Sequence, residues 1–250
     1  MIDIHSHLLP GVDDGSKSVE MSMPVLERFA ADGVDCLVLT PHLVASRAAS
    51  APYERNLAIF EELRGVAPRA LELRLGWEIM LDEPNVDLRS RTLGLGGSNA
   101  VLVEFPRLGI PVRAAHELNR IRCSGVVPVL AHPERYYGCT APLVAEWRAA
   151  GAVIQMDTAG LLGSGVIGKL SRALLRDGLV DLFSSDNHGD SRSLATARNW
   201  LREVSTEEHA TLMTHENAAL LLAGQTLRVV PPLPASGGIF GRLRELFTRR

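Results

Sequence analysis

Apolar and polar positions recur along the chain in a fixed order: an amphipathic stretch, a glycine, then a short apolar run. The first amphipathic stretch, from about residue 18 to 32, puts Val25, Leu26, Phe29 and Ala30 on one side of a helix. Gly33 ends it and 34–39 follows as a strand. The same punctuation sets Gly125 before 126–130, Gly151 before 152–156, and Gly178 before 179–183. A glycine past a helix end takes the left-handed conformation without strain, and the β-branched run after it suits a buried strand. Two further strands are expected at 71–78 and at Ala100–Glu104. Such alternation, sustained to about residue 190, predicts an α/β fold with a parallel sheet, open or closed into a barrel.

Residues 44–51 lack strand character and read as a loop before a helix that starts near Pro52. The glycine-rich stretch 93–99 fails the dinucleotide fingerprint at its last glycine. It also precedes a strand where that fingerprint must follow one, so it reads as a turn. After residue 192 the pattern is helical, over Leu194–Val204, 207–214 and 216–222. Residues 1–228 read as a single domain and 229–250 as a Pro/Gly linker with a short basic amphipathic tail. In that tail Ile239, Leu243, Leu246 and Phe247 are apolar and four arginines lie elsewhere. It either frays or docks on a partner, a membrane surface or a neighbouring subunit.

The apolar runs end in residues that bind metals. The first ends in His5 and His7, which share one face of an extended strand, with Asp13 and Asp14 in the turn beyond. The others lead to His42, Glu78, Glu104, His132, and the pair Asp186 and His188. In a parallel sheet or barrel these strand ends gather at one face, where active sites are built. Five imidazoles with three carboxylates exceed the demand of one tetrahedral ion. The mixture, free of thiolate, suits Mn, Fe or Zn better than Ca or Mg. Glu78 is the candidate bridge between two ions. Arg135, three residues after His132, can offer its planar fork to a phosphate or pair with a nearby carboxylate; Arg192 is a second such candidate. Asp157 closes the sixth strand with no role chosen by the sequence, and His116, His209 and His215 read as solvated or capping residues.

Composition narrows the class. The chain has 250 residues, 46% hydrophobic and 22% charged, as in an ordinary globular protein. A net charge of −3 argues against nucleic acid as a partner. No apolar run approaches the ~18–20 residues of a membrane span, and Asp3 interrupts any signal-peptide core, so a cytoplasmic location is expected. Cys36, Cys123 and Cys139 are scattered, and none has an arginine six positions on, which removes the loop of cysteine-based phosphatases. Cys36 reads as a small core hydrophobe.

Taken together, Met1-Ile-Asp-Ile-His-Ser-His7, Val12-Asp-Asp-Gly15, Thr40-Pro-His42, Glu78, Val103-Glu-Phe105, Ala131-His-Pro-Glu-Arg135 and Ser185-Asp-Asn-His188 resemble the polymerase and histidinol phosphatase (PHP) superfamily. The resemblance is strongest to the manganese-dependent tyrosine-protein phosphatases of bacterial capsule and exopolysaccharide loci, and it extends through His215-Glu-Asn-Ala-Ala-Leu-Leu-Leu222. It implies a distorted (β/α)7 barrel holding two to three divalent ions, Mn2+ by preference with Fe or Zn as alternatives. It also implies His5, His7, His42, Glu78, Glu104, His132, Asp186 and His188 as ligands, with Asp14 beside them. Asp14, His42 and Arg135 are then catalytic, and Arg135 and Arg192 bind the phosphate, although Arg192 stands one residue closer to the Asp-x-His motif than its counterpart. The implied substrate is a phosphotyrosine-bearing protein, a tyrosine autokinase of polysaccharide export. Rival readings are a small-molecule phosphoesterase acting on histidinol phosphate, a non-catalytic partner of an export complex, and an amidohydrolase. The last usually needs a metal-bridging lysine that no strand end supplies.

Overall fold

The structure is a computed structural model that describes residues 1–106, 109–163 and 165–234. The chain begins with β1 (Ile2–Asp3), α1 (Val19–Ala31), β2 (Cys36–Leu39), β3 (His42–Val44), α2 (Tyr53–Val66), β4 (Glu72–Leu75) and β5 (Glu78–Met80). It continues with β6 (Ala100–Glu104), α3 (Ala114–Cys123), β7 (Val127–Ala131), α4 (Ala141–Ala149), β8 (Val153–Asp157), α5 (Thr158–Leu162), α6 (Gly165–Arg176) and β9 (Leu182–Ser184). Three helices follow: α7 (Leu194–Val204), α8 (Glu207–Thr211) and α9 (Asn217–Leu222). Glycines 33, 125, 151 and 178 all take positive φ between the helix and the strand they separate, as the pattern predicted.

All the strand pairs are parallel, in two sheets ordered β1-β2-β4 and β3-β5-β6-β7-β8-β9. The two sheets are joined because β2 and β3 are halves of one extended segment, and so are β4 and β5. The first segment breaks at Thr40-Pro41, where proline brings no N–H to a ladder. The second breaks at Gly76-Trp77; a Cβ on Gly76 would stand 3.0 Å from Leu95 Cδ2 and 3.2 Å from Leu95 Cα, so a larger residue would have to push Leu95 back. Beyond β9 the barrel closes on its first strand. Ser6 bridges Asn187 in parallel, His7 N donates to Asn187 O at 2.7 Å, and Asp186 N donates to His5 O at 3.0 Å. The result is the distorted (β/α)7 barrel.

Period-two alternation divides the core. Cys36, Val38, Ala100, Leu102 and Val129 pack with Ala218 and Leu221 of α9, while their neighbours Leu37, Leu39, Val101, Val103 and Leu130 pack with helix residues such as Leu26, Phe29, Leu63 and Trp147. Helix α9 therefore packs on the set that faces inward, held by Asn217, whose Nδ2 donates to Asp181 O at 2.9 Å.

Several expectations need correction. The strand expected at 71–78 is two strands in different sheets, so Glu78 opens β5 instead of ending a run. The loop expected at 44–51 is a 3-10 helix, Ala45–Ser50, preceded by β3. The helices expected at 207–214 and 216–222 are continuous through a π turn at Leu212–Glu216, where the Thr214 hydroxyl donates to Ala210 O at 2.7 Å and competes with the helical ladder. Within the stretch read as a linker, Val230 is buried and Leu233 N donates to Leu175 O at 3.1 Å. The rest of the expected tail, residues 235–250, lies outside the described residues. Among the described residues no helix is long and apolar enough to cross a membrane.

The ends of β6 and β7 are tied by one side chain. The buried Tyr136 hydroxyl donates to Ala131 O at 2.8 Å and accepts from Phe105 N at 3.1 Å, within an aromatic cluster formed with Phe105 and Trp147. Replacing Tyr136 by Phe leaves two buried backbone groups unpaired. The urea midpoint is expected to fall by the equivalent of about 1–3 kcal/mol with an unchanged slope. An unchanged midpoint would show that this tie carries no stability.

Candidate metal centre

Glu78 sits at the centre, 1% exposed, where β3 and β5 pair with His42 opposite Glu78. Each of its oxygens faces two imidazoles. Oε1 lies 2.8 Å from His132 Nε2 and 3.4 Å from His5 Nε2; Oε2 lies 2.9 Å from His42 Nδ1 and 3.3 Å from His7 Nε2. Asp186 closes one side, with Oδ1 3.2 Å from both His5 Nε2 and His7 Nε2. On the outer side Asp14 Oδ1 stands 3.2 Å from His42 Nε2 and 3.4 Å from His188 Nε2, and Glu104 Oε1 stands 4.0 Å from His42 Nδ1. All nine residues anticipated as ligands from the strand ends and motifs thus meet in one place.

The donor geometry fits divalent ions. Atoms bound about 2.1 Å from a tetrahedral or octahedral ion stand roughly 3.0–3.4 Å apart. His5 Nε2, His7 Nε2 and Asp186 Oδ1 form a triangle with edges of 3.1, 3.2 and 3.2 Å. Four overlapping sets bring their donor atoms within 4.8 Å of one another: His7, Asp14, His42 and His188; His5, Glu78 and His132; His5, His7 and Asp186; and His42, Glu78 and Glu104. Glu78 belongs to two sets, and its two oxygens serve different partners, as a bridging carboxylate requires.

A supporting layer fixes the imidazoles, and sequence reasoning missed most of it. His5 Nδ1 donates to Gln155 Oε1 at 3.1 Å and His7 Nδ1 donates to Asp13 Oδ2 at 2.7 Å, so both Nε2 atoms are turned to the cluster. The signal for Gln155 was a polar residue inside an apolar run. Asp3, also in an apolar run, accepts from Ser185 N at 3.1 Å and His5 N at 3.3 Å, tying the first strand to the segment that carries Asp186. Gly15 brings the Asp13–Asp14 turn against His7, since a Cβ there would fall 1.9 Å from the His7 carbonyl oxygen. His132 and Asp186 hold φ of +34° and +48°, a conformation costing about 1–3 kcal/mol each for a non-glycine residue. That cost marks positions the surrounding structure fixes.

Burial works against a charged His5, but the carboxylates of Glu78 and Asp186 outweigh it and push the imidazole up to about 9. His7 is raised likewise: burial opposes, and Asp13, Asp186 and Glu78 prevail. Burial opposes ionisation of Glu78 and Asp186 too, yet the surrounding imidazoles hold both well below the usual carboxylate range. His132 and His188 are lowered by burial. Behind the cluster, burial pushes Asp157 up to about 6 and, with Asp157 beside it, Glu134 up to about 8.

Both arginines reach the site. Arg135 Nη1 donates to Asp186 Oδ2 and, at 3.4 Å, to Asp157 Oδ2; Arg192 Nη1 lies 3.2 Å from the same Asp186 oxygen. Glu134, the neighbour that could have paired with Arg135, instead accepts from Asp157 N at 2.9 Å. His116 lies exposed and His215 half-buried, whereas His209 is buried, with Nδ1 2.9 Å from Ser205 Oγ. Cys36 is buried as expected, and burial raises its thiol to about 11 and that of Cys139 to about 12, which removes them as nucleophiles. A cavity of about 1020 Å³ opens beside the His42, Asp14 and Glu104 end.

Two outcomes follow for the isolated protein. Replacing Asp13 by Ala frees the His7 ring, and affinity for a divalent ion is expected to drop about 10- to 100-fold by calorimetry; an unchanged affinity would remove Asp13 from the site. The metal-free protein should also respond to pH. His5 moves from an ordinary 6.5 to about 9 on folding, so its stabilisation is complete below 6.5 and is lost as pH rises through 9. Glu134, kept neutral until about 8, acts in the same direction. In chelator the melting temperature should therefore fall from pH 6.5 to pH 9, and a flat profile would contradict the coupling.

Comparison with known proteins agrees with this geometry. The chain is 29% identical over 246 residues to the tyrosine-protein phosphatase YwqE of Bacillus subtilis, covering 94% of this chain and 96% of that protein. It is 29% identical over 197 residues to the putative tyrosine-protein phosphatase CapC of Staphylococcus aureus, covering 75% of this chain and 77% of that one. Among solved structures it matches one from the work on YwqE of Bacillus subtilis and CpsB of Streptococcus pneumoniae, described as unique metal-dependent tyrosine phosphatases. That match has a TM-score of 0.73 and 25% identity over 94% of this chain and all (100%) of that one. With its residues 1–223 matched by the sequence profile of the capsular polysaccharide synthesis family CpsB/CapC, the chain belongs to that family.

Proposed function

We propose that the protein is a metal-dependent protein-tyrosine phosphatase of capsular polysaccharide synthesis. In this reading Mn2+ is the ion, the substrate is a phosphorylated tyrosine autokinase, and the reaction takes place in the cytoplasm. Residues 1–228 form the catalytic domain, and the remainder is an appended tail. The observation that carries the reading is Glu78, a buried carboxylate that offers its two oxygens to separate sets of donors at the mouth of the barrel. The relatives' names, tyrosine-protein phosphatases, supply the substrate class.

His5, His7, His42, Glu78, Glu104, His132, Asp186 and His188 hold the ions, with Asp14 at the open side, where its side chain is 64% exposed. Held by these residues, divalent ions would supply Lewis acidity toward the phosphoryl oxygens and a water of near-neutral pKa. The chain's own part is to orient the phosphate. Arg135 and Arg192 converge on one oxygen of Asp186, so two guanidinium groups flank the cluster where a phosphoryl dianion arrives. Arg135 is partly desolvated and held by Asp157, which places its remaining donors for the equatorial oxygens as charge builds there. Tyrosine leaves with a pKa near 10, so its departure needs less protonation than that of serine. The carboxylates that line the cavity beside His42, Asp14 and Glu104, belong to the candidate ligand set.

The test is metal analysis of the native protein followed by turnover measurements with Mn2+ restored. Phosphotyrosyl peptides are expected to react faster than histidinol phosphate; the reverse order would replace this substrate assignment. His132→Ala should lose bound metal. Arg135→Ala should keep metal and lose about 10²- to 10³-fold in kcat. Retention of full activity in Arg135→Ala would remove the phosphate role from that residue.

A further inference from the structure

The cavity beside the metal cluster is lined in tiers. In the β3–β5 pairing His42 stands opposite Glu78 and Val44 opposite Met80. Alternate residues share a strand face, so Val44 and Met80 lie on the ligands' face, one step of about 6.6 Å nearer the barrel mouth. Both line the cavity, together with Leu43, Pro52 and Pro106. An apolar tier thus sits directly above a polar floor of His42, Asp14 and Glu104.

The rim above it carries a cation. The 3-10 helix Ala45–Ser50 brings Arg47 and Ser50 to the same cavity. That turn is pinned by Ser46, whose N and Oγ donate to the Asp82 carboxylate at 2.9 and 2.5 Å. Arg47 is exposed, and its guanidinium makes no ion pair or hydrogen bond among the described residues. A fixed turn that presents an unpaired guanidinium over an apolar tier is shaped to receive an anion attached to an apolar group.

We propose that this cavity holds a phosphotyrosyl segment of the substrate protein, its ring along Val44 and Met80, and that Arg47 binds an acidic side chain close to the phosphotyrosine. The proposal rests on the phosphatase reading and names the substrate sequence that the site favours. An aryl phosphate seated on the ions must extend its ring into the next tier. The chain flanking that ring then passes the rim, where Arg47 offers a charge unpaired among the described residues.

The experiment uses the full-length, Mn2+-loaded protein and two phosphotyrosyl peptides that differ only in a glutamate or a glutamine next to the phosphotyrosine. The readout is the ratio of kcat/KM for the two peptides, which does not depend on the fraction of protein folded. The wild type should favour the glutamate peptide about three- to fivefold, as an exposed ion pair allows. Arg47→Ala should bring the ratio to one, through KM, and Arg47→Glu should invert it. A ratio unchanged in both variants overturns the Arg47 assignment while leaving the phosphatase reading intact. Hydrolysis of neither peptide by the wild type overturns the phosphatase reading itself.

Discussion

The structure turns on the burial of one carboxylate. A charged side chain taken out of water costs several kcal/mol unless it is paired and hydrogen-bonded. Glu78 is 1% exposed and stays ionised because His5, His7, His42 and His132 surround it. The dependence is mutual, since Glu78 and Asp186 in turn keep His5 and His7 protonated against their own burial. Protons on the imidazoles do part of the work of cations, so the ligand cluster stays assembled before any ion arrives. Binding a metal then exchanges protons for a divalent charge at nearly fixed geometry.

The barrel's irregularities serve that cluster. Two of the barrel's strand segments break, at Thr40-Pro41 and Gly76-Trp77, and resume in another sheet. His42 and Glu78 are the residues on which they resume, in register with each other. Two more candidate ligands, His132 and Asp186, are non-glycine residues held at positive φ, as is Asn85 outside the cluster. Both strand breaks and two of the strained positions therefore fall at candidate ligands, while α9 packs on Cys36, Val38, Leu102 and Val129.

Much of this was legible in the sequence. Glycines between helix and strand are local signals, and ligands at strand ends need only the strand count and direction to be brought together. The barrel, and the gathering of the histidines and carboxylates at one place, could be read on that basis. The broken strands could not, because a change of sheet depends on which neighbour a segment finds. Gln155 and Asp13 support histidines through hydrogen bonds whose partners the linear pattern does not name. Arg135 is similar: its pairing with Asp186 spans 51 residues, and only the fold decides between that carboxylate and the adjacent Glu134. His209 was misjudged because it keeps a polar sequence neighbour, Ser205, as its partner and is nevertheless buried by the fold.

The closure of the barrel has a consequence for how the protein is made. Asp3 accepts from the amide of Ser185, 182 residues away, and Ser6 bridges Asn187. The first candidate ligands to leave the ribosome, His5 and His7, thus wait for Asp186 and His188, close to the last of the barrel. Contacts of such long sequence separation form late, once loop closure has been compensated by the packing of intervening units. The nascent chain cannot present a complete set of donors until nearly all the barrel has been synthesised. A complete set of donors at the mouth is accordingly a property of the finished barrel alone.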